Sequence, residues 1–146
     1  MSHEQSLINT WLSFTHIHAE LSNDLDRALQ EKHQMPLNEF YVLLYLSQAP
    51  EKKLRLLELQ RLVGLSQSAM SRLSVRMENK SCGVIKRLGY EDDRRGLCAL
   101  ITDKGEQRLR EMLETVNETL NTSLSNSDMG TALAFFMNGQ SSSKDD

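Results

Sequence analysis

Residues 90–96 read Y-E-D-D-R-R-G, three acids running directly into two arginines and a closing glycine. Taken alone, such a run is a solvated turn. Its neighbourhood gives it chemistry. Between Lys52 and Arg95 stand eleven basic and five acidic residues, a net of +6, while the remainder of the chain holds six bases and fifteen acids, a net of −9. Cationic side chains gathered into one segment of an otherwise acidic chain are suited to binding a polyanion. The formal net charge of −3 conceals that division. Other chemistries are poorly provided for. No nucleophile is paired with a base, no glycine-rich phosphate loop is present, and His3, His16, His18 and His33 lack a cluster of partner ligands. Neither catalysis, a metal nor a cofactor is expected.

Such a basic segment needs elements to present it. Leu7, Trp11, Phe14, His18, Leu21, Leu25 and Ala28 recur at steps of four and three, which predicts a helix over residues 6–30 packed against other helices. Pro36 resets the chain, and 37–47 reads as a second, more apolar helix ended by Ala49-Pro50. Lys53-Leu54-Arg55 is at most a short extended piece. Glu58 to Val63 reads as a short helix with Leu59, Leu62 and Val63 inward, stopped by Gly64. Ser66 offers an N-cap to a helix from Gln67 to about Asn79, with Met70, Leu73 and Met77 inward and Gln67, Ser68, Ser71, Arg72 and Arg76 left outside. Two short helices joined by a tight Gly-Leu-Ser turn form a helix-turn-helix.

The β-prone runs 83–87 and 97–101 flank the charged loop and predict a hairpin. Thr102 caps a last long helix carrying Leu109, Met112, Leu113, Val116 and Leu120 at threes and fours. A polar break at 125–127 precedes a short apolar helix around Leu133, Phe135, Phe136 and Met137, and the small, charged end from Gly139 is expected to be disordered. The expected fold class is mainly α with a small β wing, a winged helix-turn-helix flanked by helical ends.

Size and composition agree with that reading. The chain has 146 residues, 39% hydrophobic and 25% charged, which suits one soluble domain that gains stability by dimerising. The polar start Met1 to Gln5 is unlike a signal peptide, no stretch is apolar enough for a membrane helix, and two cysteines cannot build a disulfide framework. A cytoplasmic location is expected.

Taken in order, these residues resemble the MarR (multiple antibiotic resistance regulator) family of winged helix-turn-helix transcription factors. The resemblance runs from about Leu37 to Gly105 and rests on L-R-L-L-E-L-Q-R-L-V-G-L-S (54–66), S-x-x-S-R-L (68–73), G-V-I-K-R (83–87), D-R-R (93–95) and L-I-T-D-K-G (100–105). It implies an N-terminal dimerisation helix over 1–35, a DNA-binding lobe over 36–103, C-terminal dimerisation helices over 104–138 and a tail over 139–146. It further implies a homodimer that binds a palindromic operator in double-stranded DNA, as a repressor. Ser66, Gln67, Ser68, Ser71, Arg72 and Arg76 would serve the recognition helix, with the N-terminal ones reaching base edges. Asp93 and Arg95 match the family's wing-tip pair. An arginine there enters a minor groove, and the carboxylate fixes its guanidinium. Arg94, Lys86 and Arg87 would touch phosphates. Arg76 has a bland alternative, pairing with Glu78 or solvent.

The chain departs from the family pattern at three places. Leu57 stands where a capping Ser or Thr is usual, Lys80-Ser81-Cys82 lengthens the link to the wing, and Ser74-Val75 replaces an apolar-then-polar pair. Family members often answer to a phenolic ligand, a peroxide or a metal. Trp11, Phe14 and His18 with Phe40, Tyr41 and Tyr45 form a candidate lining for a small aromatic ligand, although core packing accounts for the same residues and His18 reads as an interior histidine. Cys98 reads as a small hydrophobe on a strand, and Cys82, near Lys80, is the better candidate thiol. A second function class is a winged-helix module that binds protein rather than DNA; Arg72, Arg94 and Arg95 weigh against it.

Overall fold

No glycine or proline occurs before Pro36, and the first long element, α1 (His3–His33), runs unbroken through that stretch. Gln34 takes the left-handed conformation, with φ 56°, and Pro36 then opens α2 (Leu37–Gln48). A 3₁₀ turn, Pro50–Lys52, leads to β1 (Lys53–Arg55), α3 (Leu56–Val63), α4 (Gln67–Glu78), β2 (Ile85–Gly89), β3 (Leu97–Ile101) and α5 (Asp103–Leu124). This computed structural model describes residues 2–79, 81–89 and 96–125. The charged loop 90–95 lies outside them, as do the expected apolar helix around Leu133 to Met137 and the tail. By contacts the chain divides into two units, residues 1–32 with 115–146 and residues 33–114.

The first unit carries the expected seam only in part. Leu25 is buried, but Leu7, Trp11, Phe14 and His18 are exposed, which corrects the reading of His18 as an interior residue in the single chain. Leu29, which the seam did not include, is fully buried, whereas Ala28 is half-buried. A seam counted at 3.5 residues per turn drifts on a straight helix of 3.6, so by the last turns the buried row has moved one position on. Ser123 donates to Asp24 Oδ2 at 3.1 Å, and Lys32 pairs with Glu118 at 3.3 Å, so α1 and α5 touch here through polar groups.

The second unit is the helix-turn-helix and its wing. Phe40, Val42, Leu43 and Leu46 of α2 are buried, as are Leu59 of α3 and Met70, Leu73 and Met77 of α4. Each such side chain contributes about 1.5–3 kcal/mol by leaving water. Leu62, expected inside, is 45% exposed, and Val63 is half-buried. The eight-residue α3 packs on α2 and α4, and only Leu59 of its apolar residues reaches the interior of that contact. It begins at Leu56, two residues before the expected start at Glu58, so Leu57 lies inside the helix. Arg55 is its N-cap, without a side-chain cap bond, and the helix ends at Gly64 with φ 81°.

Lys53-Leu54-Arg55 is a true strand, and the sheet order is β1-β3-β2, all antiparallel. Ala99, fully buried on the central strand, is paired with Leu54 on one side and Arg87 on the other. The lengthened link before the wing is closed by the Asn79 carbonyl, which accepts from the N–H groups of Cys82 at 2.8 Å and Gly83 at 2.7 Å. After β3, the Thr102 hydroxyl accepts from the Gly105 N–H at 3.0 Å and donates to the Gly83 carbonyl at 2.7 Å. One residue thus caps α5 and ties its start to the wing. Among the described residues no helix is long and apolar enough to cross a membrane.

Candidate nucleic-acid interface

The two faces of α4 divide cleanly. Met70, Leu73 and Met77 point inward together with Ser74, whose hydroxyl donates to the Ser71 carbonyl at 2.8 Å. That local bond satisfies a hydroxyl with no access to water and explains how Ser74 fits a position where an apolar residue is usual. Gln67, Ser68, Ser71, Arg72, Val75 and Arg76 are exposed on the remaining face. The Ser66 hydroxyl accepts from the Ala69 N–H at 3.2 Å, so Ser66 acts first as the N-cap of this helix. No acid occupies the first turn of α4, which leaves its positive dipole end free to favour an anion.

Among the described residues two ion pairs hold this helix, and neither was read from the sequence. Arg76 Nε donates to Glu39 Oε1 of α2 at 2.9 Å, a partner other than the Glu78 of the bland alternative. Glu78 instead accepts from both the backbone N–H and the Nε of Arg87, the latter at 3.0 Å. Arg87 is therefore anchored to the end of α4 rather than standing free, while Lys86 beside it is exposed. Burial is the largest influence on Glu39 and raises its pKa above the ordinary carboxylate value, with the Arg76 hydrogen bond and charge acting against it. Glu78 is shifted the other way, chiefly by the hydrogen bond from the Arg87 backbone.

A recess of about 410 Å³ opens between α3, the start of α4 and the start of β3, against Leu57, Gln60, Gln67, Met70, Ser71 and Leu97. None of the aromatic ligand candidates lines it. Trp11 and Phe14 stack on each other at 6.3 Å between ring centroids, both exposed on α1. On α2, Phe40 is buried, Tyr41 and Tyr45 are half-buried, and the Phe40 and Tyr41 rings lie 5.9 Å apart. Cys98 is buried on β3 as expected, and Cys82 is half-buried. Asp93, Arg94 and Arg95 fall outside the described residues.

Known structures share this architecture. A MarR family transcriptional regulator from Streptomyces coelicolor, solved in complex with DNA, matches 100% of this chain and 94% of its own, with 24% identity and a TM-score of 0.73. The transcriptional regulator BldR from Sulfolobus solfataricus matches 97% of this chain and 99% of its own, with 21% identity and a TM-score of 0.77. A MarR family protein of Mycobacterium tuberculosis in complex with salicylic acid matches 87% of this chain and 92% of its own, with 22% identity and a TM-score of 0.63. At these identities the likeness establishes the fold. No family sequence model and no curated protein matches the chain.

Proposed function

We propose that this protein is a MarR-type transcriptional regulator, cytoplasmic and homodimeric, that represses by binding an inverted repeat in double-stranded DNA. The observation that carries the reading is the outward face of α4, where Gln67, Ser68, Ser71, Arg72 and Arg76 stand exposed over a buried apolar row. Glutamine, serine and arginine offer the donors and acceptors that read base edges in a major groove. Lys86, on β2, adds a cation for the flanking phosphates, and Arg87 contributes its charge while bound to Glu78. Asp93, Arg94 and Arg95 take the wing-tip role that the family resemblance implies for them. The Streptomyces neighbour, solved with DNA, supports this assignment.

The same proposal makes 1–35 and 104–138 the dimerisation elements, 36–103 the DNA-binding lobe and 139–146 a tail. Leu7, Ile8, Trp11, Leu12 and Phe14 expose a contiguous apolar run on α1, which supports a second copy as its cover. Release by a small aromatic ligand belongs to the reading as well. The salicylic acid complex of the mycobacterial neighbour supports it, and the recess beside α4 is a lodging place open to test.

Selection of duplexes from random DNA by the purified protein tests the function. The expected result is a palindrome whose affinity falls steeply as salt rises, because bound phosphates release counterions. Selection of no palindrome, together with no tighter binding to bulk DNA at low salt, favours the winged-helix module that binds protein.

A further inference from the structure

Glu39 is an unusual residue for its place. It lies on the most apolar of the described helices, its side chain is 3% exposed, and the side chain of its partner Arg76 is 57% exposed. Here the acid is fixed in the interior and the guanidinium is held by one edge, its Nε, at 2.9 Å. Four of the five guanidinium N–H donors sit on the two terminal nitrogens, which this bond does not use. They belong to the exposed face of α4, one turn beyond Arg72.

We propose that Glu39 is a positioning residue for DNA binding, orienting Arg76 so that its terminal nitrogens meet a backbone phosphate. The inference rests on the DNA-binding reading of α4. The physical gain is preorganisation. A free arginine loses rotamer freedom when it docks on a phosphate, and one already held by a buried carboxylate has lost much of it beforehand. The planar guanidinium can satisfy an acid at one edge and a phosphate at another, which the point charge of a lysine does with less geometric control. The sign of the effect separates this role from plain electrostatics. Removing a negative charge from a surface that meets DNA should tighten binding. Removing a positioning residue should loosen it.

The experiment measures dissociation constants at one salt concentration for the wild type, Glu39→Gln, Arg76→Met and the double variant, on the duplex that the wild type selects. Glu39→Gln keeps the shape and an acceptor, and melting curves beside the isotherms report whether the fold is kept. The expected result is a loss of about 3–10-fold for Glu39→Gln, from released side-chain entropy, that disappears in the Arg76→Met background. Equal loss in both backgrounds, or unchanged or tighter binding by Glu39→Gln, overturns the positioning role and leaves the DNA reading standing. Absence of specific binding by the wild type overturns the DNA reading, and this inference falls with it.

Discussion

Glu78, in the last turn of α4, accepts hydrogen bonds from both the backbone N–H and the Nε of Arg87, the second residue after Ile85 on β2. One carboxylate therefore joins the end of α4 to the strand that leads into the wing. Both bonds prefer the ionised acid, and they hold its folded pKa below the ordinary 4.5. The folded chain gives up that proton more readily than the unfolded chain. The resulting stabilisation is present above the ordinary value and is lost as pH falls through the depressed one. Glu78→Gln should therefore melt below the wild type at pH 7, and the gap should close as pH falls from the ordinary carboxylate value through the depressed one. A gap that stays constant across that range would show that Glu78 acts through shape rather than charge.

Gly105 and Gly64 are both required, for different reasons, and the difference is measurable. A Cβ on Gly105 would lie 2.1 Å from the Val84 carbonyl oxygen and 2.8 Å from Ile101 Cγ1, with backbone as the nearer obstacle. On Gly64 it would meet nothing within 4 Å, but that residue has φ 81°. Gly105→Ala should cost about 3 kcal/mol, at the upper end for overpacking, and Gly64→Ala about 1–2 kcal/mol for the left-handed conformation. Urea unfolding checks both. Equal costs would mean that the contact with Val84 relaxes more easily than its geometry indicates.

What was legible in the sequence was what local chemistry decides. Gly64 stops α3, Ser66 caps α4 and Thr102 caps α5, because a turn or a cap is specified by residues a few positions apart. The apolar row of α4 was legible for the same reason. Glu39 and Arg76 are 37 positions apart, so nothing in the spacing announces that they meet. The available signal was a single acid inside the run L-N-E-F-Y-V-L-L, a charge that burial would penalise unless something answered it. Leu62 misled because a helix of eight residues lying on the surface buries fewer positions than its apolar count suggests.

The exposed face of α1 gives a prediction about assembly. Trp11 is 63% exposed in the single chain and stacks on Phe14. Trp11→Glu places a charge in that face and should weaken the dimer by about 2 kcal/mol or more, roughly a 30-fold rise in its dissociation constant. Sedimentation across micromolar concentrations reads the change. A wild type that is already a folded monomer there contradicts the dimer.

The wing-tip residues give a prediction about affinity. Arg95→Ala should cost about 1–3 kcal/mol of DNA binding, and Arg95→Lys should recover little of it, since a point charge cannot reproduce the planar fork. Asp93→Ala should weaken binding, because the carboxylate preorganises Arg95; tighter binding would mean that the acid only tempers the charge. Isotherms at fixed salt decide between the two.

On the proposed function, two copies of α4 read two halves of one site. Hydroxyl-radical footprinting of the wild type on its selected duplex tests it most directly. The expected result is two protected stretches about one helical turn apart, related by the two-fold symmetry of the sequence, with two chains bound per duplex. A single or evenly spread protection, or one chain per duplex, would contradict it.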